Sequence, residues 1–263
     1  MIPDTEALLE ARTLMAGRRY DEALAIVRRL HETAQAQGGP IGNPALTYAV
    51  GLWGELAERH APAREALGQE RDGQAAVLLA HLDRRHFSHV AFLDTRLHDA
   101  AHTHGLFLQV MEQEPAAAGE FARAALPALI EVGDFALAER FLPDPEEFVR
   151  RESGHLNWEL THRRNRPFIR APRIPASIHN YAGAIKEVLA VLEGCGRKAD
   201  ARRVRAMAIA AIPATTIRRE VERSLHPDAK PWYLRGRPEL RTYGTREKLR
   251  HRRLLAKQAR ASR

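Results

Sequence analysis

From Gln74 to His104 the chain runs for 31 residues without a proline or a glycine. Leu78, Leu79, Leu82, Val90, Leu93 and Leu97 recur along it at helical spacing, tracing one apolar stripe. The stretch fits one long helix, or two with a bend near Asp94. A run of this kind cannot sit in a sheet, where the side-chain period is two.

The rest of the chain follows the same rule. Leu8, Leu9, Leu14, Ala23, Leu24, Val27 and Leu30 give helical spacing over 5–36, with a break at Gly17. The segment GGPIGNP, 38–44, is a loop by composition. Helices are expected at 45–60, 62 to about 70, 116–131, 134–142, 178–194 and 198–211. Asp144 as a cap followed by Pro145 and two glutamates starts another, which carries ESGHLNWELTHRRNRP, 152–167. Three prolines among RPFIRAPRIPAS, 166–177, predict an extended segment. Beyond Pro213 the pattern turns irregular until a last basic helix expected after Thr245.

Three places share a local pattern of glycine, a polar residue, often an aromatic, then an alanine opening a second helix. They are GRRYDEALAIVRRL at 17–30, VGDFALAERFL at 132–142 and CGRKADARRVRAMAIAAIP at 195–213. The pattern resembles the tetratricopeptide repeat, a helix-turn-helix unit of 34 residues. Gly133, Asp134, Phe135 and Ala138 match its turn, as do Gly196 and Ala201, with Ala208 and Pro213 at later positions; Tyr20 and Ala23 match, but Gly17 stands one residue early. The equivalent alanines Ala23, Ala138 and Ala201 lie 115 and 63 residues apart, neither a multiple of the repeat. The expectation is therefore an all-α protein, an irregular α-solenoid of helix-turn-helix hairpins. The resemblance implies binding of partner segments on a face of stacked helices. Of the Lys and Asn positions with which some members of that family grip a terminal carboxylate, only Lys186 can be placed; Ala190 stands where an Asn is wanted.

Charge divides the chain. Residues 214–263 hold 15 Lys/Arg against 5 Asp/Glu, whereas 1–213 hold 26 against 28. Within the body, 101–149 carries 2 basic and 9 acidic residues and 150–173 carries 7 and 2. These values predict a helical-repeat domain over 1–213 and a basic C-terminal extension over 214–263. Such a field attracts polyanions or acidic protein surfaces. The lone Cys195 excludes an internal disulfide and suits a reducing compartment. The absence of a long apolar run and of a signal-like N-terminus predicts a cytoplasmic protein without a membrane partner.

Candidate binding residues follow from that field. Arg163, Arg164, Arg166, Arg170 and Arg173 run from the end of a helix into the proline-spaced segment, and Trp232 and Tyr233 are interleaved with Arg235, Arg237 and Arg241. Guanidinium groups neutralise phosphates and aromatic rings stack on bases. RGRP, Arg235 to Pro238, also resembles the core of an AT-hook. Metal chemistry has two candidate sets: His155, Glu159 and His162 at i, i+4 and i+7, and Asp94, His98 and His102, which share a stripe at i, i+4 and i+8. The ordinary reading of the first set is a polar helix face with Trp158 and Leu160 turned inward. His86 and His89 fall on or beside the apolar stripe and are expected as hydrogen-bonded core residues. Cys195 fills a turn, with Arg197 and Lys198 close enough to activate its thiol.

No phosphate-binding loop, HExxH or GxSxG motif is present. The expected function is a non-enzymatic protein-interaction scaffold without a cofactor, its partner acidic. The alternatives are a nucleic-acid-binding accessory protein using the arginine-rich end, and a metal-dependent enzyme using the histidine clusters.

Overall fold

The computed structural model describes residues 4–37, 43–162 and 173–226, with the single residues Ala229 and Arg253. Among the described residues there are twelve helices and no strand. They are α1 Thr5–Ala16, α2 Tyr20–Ala36, α3 Pro44–Ala57, α4 Ala61–His81, α5 Arg84–Leu97, α6 Ala100–Gln113, α7 Ala118–Val132, α8 Phe135–Arg140, α9 Pro145–His162, α10 Arg173–Gly194, α11 Lys198–Ala210 and α12 Thr215–Ser224. None is long and apolar enough to cross a membrane.

Two sequence expectations fail here. The run from Gln74 to His104 is not one helix or two but parts of three. Leu82 (φ 47°) and His98 (φ 58°) take the left-handed conformation, and Asp83 and Asp99 then cap the next helices by accepting from the backbone N–H groups of Arg85 and His102. An aspartate cap ends one periodic run and starts another without proline or glycine, so breaker residues alone are blind to it. Nor is 166–177 extended throughout, because α10 already begins at Arg173. Pro175 sits in its first turn, where backbone N–H groups have no intrahelical acceptor and a missing donor costs little.

The turns behind the repeat resemblance all separate two helices. Gly133 (φ 81°) and Gly196 (φ 76°) supply the left-handed residue that a side chain disfavours. In the first copy Arg18 takes that role (φ 59°), which accounts for the glycine lying one residue early. Ala23, Ala138, Ala201 and Ala208 are fully buried, as close packing at those positions requires.

Contacts divide the chain into two compact units, Met1–Asp134 and Phe135–Arg263. In the first, each helix packs on its successor, and α1 with α3, α3 with α5, and α5 with α7 also pack together. The odd-numbered helices thus form one layer, and α2, α4 and α6 form the other without comparably close pairs among themselves. Leu46, Val50, Trp53, Leu56, Leu67 and Leu93 make much of the core. Phe87 meets Phe107 and Phe121 edge-on, at ring separations of 6.2 and 5.5 Å.

In the second unit α10 is the central helix, packed by α8, α9, α11 and α12. Val149, Ile185, Val188, Leu192, Val204, Ile217 and Val221 are wholly buried there. Tyr181 donates its hydroxyl proton to the Ala208 carbonyl at 2.9 Å. Gly194 is needed for packing, since a Cβ there would lie 2.2 Å from the ring of Phe135. Because α12 buries Ile217 and Val221 in this core, the helical body runs past Pro213.

Candidate partner-binding face

The odd-helix layer of the first unit carries a groove of about 270 Å³ between α5, α6 and α7. Its walls include Ala91, Phe92, Thr95, Arg123, Pro127 and Glu131. Small residues at Ala91 and, one helix away, Ala124 open the space. Pro127 has no N–H to give the Arg123 carbonyl, the bond that an ordinary residue at this point of α7 would make. The volume lies below the range of typical small-molecule pockets and suits a side chain or two of a partner.

Beneath the groove lies a polar anchor. Asp94 is 1% exposed and accepts hydrogen bonds from Arg71 (2.9 Å), His102 Nδ1 (2.8 Å) and Thr103 Oγ1 (2.7 Å). Burial alone would lower the affinity of Arg71 for its proton, but Asp94, Asp99 and Asp72 together raise it above the ordinary range. This network ties α4, α5 and α6 together. It also assigns the sequence candidates: Asp94 and His102 meet across two helices, whereas His98 is the exposed corner residue that ends α5. The three are not a stripe on one helix, because α5 stops at Leu97.

Beside the groove, Arg96 projects from α5 over the ring of Phe92, with its guanidinium carbon 5.2 Å from the centroid. Its stem lies in a notch on α3: a Cβ on Gly54 would come within 2.9–3.1 Å of the Arg96 side-chain carbons, and one on Gly51 within 4.0 Å of Nη2. Each interior helical glycine costs about 1 kcal/mol relative to alanine, so the notch has a measurable energetic cost. Nε of Arg96 is buried without a hydrogen-bond partner, and among the described residues no carboxylate pairs with its guanidinium. Exposed Tyr48 and the Arg12–Glu55 ion pair occupy the neighbouring faces of α1 and α3.

Deeper in the first unit, His31 and His89 are 1% and 2% exposed, with their Nε2 atoms 3.2 Å apart. One ring must donate and the other accept, so at least one is neutral. Gln35 lies 3.4 Å from His89 Nδ1 and donates to Glu70 at 3.0 Å. The edge of Trp53 meets the His31 ring. Burial lowers the pKa of His31 against the pull of Glu70 and Glu32. Burial, with the like charges of His31 and His86, lowers His89 to about 4. His89 fits the expected core role and His86, half-buried, bonds Gln74 at 2.8 Å. His31 escaped the sequence reading, although it falls on the stripe of Ala23, Val27 and Ala34.

On α9, His155 Nε2 lies 3.5 Å from Glu159, while His162 stacks on Trp158 at 5.0 Å and bonds its carbonyl. Leu160 turns inward as expected, but Trp158 is 53% exposed, because the stacking pairs it with His162 on the solvent side. Among the described residues no group of three or more His, Cys, Asp or Glu side chains is placed to hold one metal ion. Cys195 donates to the Phe135 carbonyl at 3.4 Å, and burial with the Glu139 carboxylate raises its pKa. Its arginine neighbour Arg197 is engaged by Glu139 and Asp200, so the thiol is not activated.

Lys186 lies half-buried on α10. The backbone of Arg173 opens that helix. Arg163, Arg164, Arg166, Arg170, Trp232, Tyr233, Arg235, Arg237 and Arg241 lie outside the described residues, as do residues 38–42 of the expected loop, the RGRP segment and, Arg253 apart, the basic helix expected after Thr245. Comparison with known proteins found no family model, no curated protein and no solved structure that matches the chain.

Proposed function

We propose that the protein is a non-enzymatic interaction scaffold, an irregular α-solenoid of tetratricopeptide-like hairpins that binds a protein segment on its odd-helix face. The observation that carries the reading is the groove lined by Phe92, Arg123, Pro127 and Glu131, with Arg96 at its edge. A stack of hairpins whose odd helices pack together offers one continuous face, the arrangement that repeat proteins use for extended ligands. Polar and apolar groups converge there, as at peptide-binding surfaces. The intracellular setting expected from Cys195 belongs to this proposal.

Filling the groove with Ala124→Trp is the test. Partners that co-purify with the tagged full chain, quantified by mass spectrometry, should be depleted by this substitution and retained by Thr33→Trp on exposed α2. Equal retention by both variants removes the groove from the function.

The basic C-terminal region supports a second reading, nucleic-acid association, through its 15 Lys/Arg against 5 Asp/Glu over 214–263. Phosphate contacts predict affinity for a mixed-sequence oligonucleotide that falls steeply between low and physiological salt.

A further inference from the structure

We propose that Arg96 is the recognition residue of the odd-helix face and takes the carboxylate of an Asp or Glu in an extended partner segment, next to an apolar side chain in the groove. The inference rests on the scaffold reading and names the chemistry of its partner.

The geometry of Arg96 is built rather than incidental. Gly54 admits its aliphatic stem, Gly51 leaves room at Nη2, and Phe92 gives the guanidinium a flat support. Such packing fixes an arginine without using its outer N–H groups. Some arginines of the two units are spent on acids, such as Arg71 on Asp94 and Asp99 and Arg197 on Glu139, and others on backbone carbonyls, such as Arg64 on Leu97 and Arg218 on Ile212; what sets Arg96 apart is its packing in the notch with Nε buried. Arg96 has no carboxylate among the described residues, and its residue is only half-buried, so the outer fork is reachable. A fixed planar fork matches a carboxylate bidentately.

Phe92 touches both parts of the site, supporting Arg96 and lining the groove beside Ala91 and Pro127. An acidic residue on Arg96 therefore has an aliphatic neighbour in the chain placed over the groove. The far wall carries one base and one acid, Arg123 and Glu131, so it adds no net positive charge to Arg96, which favours a single carboxylate flanked by apolar residues over a dianionic phosphate.

The test is selection from a displayed library of random octapeptides on the immobilised full chain, repeated with Arg96→Met and Gly51→Asp. The methionine keeps the stem in its notch and removes the charge. The Gly51→Asp substitution places a carboxylate of the chain itself beside Nη2. Wild-type protein should enrich peptides with one acidic and one adjacent aliphatic residue. Both variants should bind those peptides about tenfold or more weakly, as expected for a lost charge-assisted bond. Matching unfolding midpoints for the three proteins exclude misfolding. Enrichment without an acidic preference, or an acidic preference that survives in both variants, overturns the role of Arg96 and leaves the scaffold standing. No enriched sequence at all overturns both.

Discussion

The buried histidine pair makes the first unit sensitive to acid. An unfolded histidine titrates near 6.5, whereas His89 in the fold titrates at about 4. Between those values the unfolded chain takes up a proton that the folded chain refuses. Stability is therefore complete above about pH 6.5, falls as pH drops, and stops falling from this source below about 4. For His89 alone the loss by pH 5 is about 2 kcal/mol, and the full shift is worth about 3 kcal/mol. His31, also lowered, adds in the same direction, though protonating one ring makes the second harder to protonate at 3.2 Å. Glu70 and Glu32 oppose the loss, and His86 reinforces it.

Urea unfolding followed by Trp53 fluorescence reports on this unit, because Trp53 is buried in its core beside His31. Trp158 and Trp232 would be replaced by phenylalanine so that only Trp53 is seen. The reference is His31→Leu with His89→Leu, which removes both partners together and leaves no orphaned ring nitrogen. The difference in stability between pH 7 and pH 5 should shrink by about 2 kcal/mol in the double variant. Equal pH dependence in the two proteins refutes the reasoning. His60–Asp21 and His102–Asp94 are common to both, so their contributions cancel.

Two other substitutions probe the scaffold. Gly194→Ala should destabilise the second unit by about 1–3 kcal/mol despite the better helix propensity of alanine, because the new Cβ meets the rigid Phe135 ring; thermal unfolding with Trp158 as reporter measures it. Asp94→Ala should cost about 1–3 kcal/mol, because His102 and the buried Thr103 hydroxyl lose their acceptor while Arg71 keeps Asp99 and Asp72, whereas an ordinary exposed ion pair such as Arg12–Glu55 should cost under about 1 kcal/mol when broken. Denaturant midpoints for the two variants compare them directly.

Helix content and the three hairpin turns were legible because periodicity and a left-handed residue are local properties. The breaks at Leu82 and His98 were not, since an aspartate cap leaves the apolar stripe in phase on both sides. Histidine–aspartate spacing misled for the same reason: Asp94, His98 and His102 look like a stripe only if the helix continues. Arg96 was invisible because its environment comes from Gly51 and Gly54, some 40 residues earlier. Two glycines at i and i+3 inside an apolar helix were the available signal, a place where another element approaches closely.

The central claim is that the odd-helix face touches a protein partner. A photo-crosslinking amino acid placed at Thr95, on the groove wall, and at Thr33, on α2, measures it in living cells. The account predicts discrete adducts at position 95 that survive nuclease, are lost on proteolysis and are absent at position 33. Adducts that vanish with nuclease, or equal labelling at both positions, would contradict it.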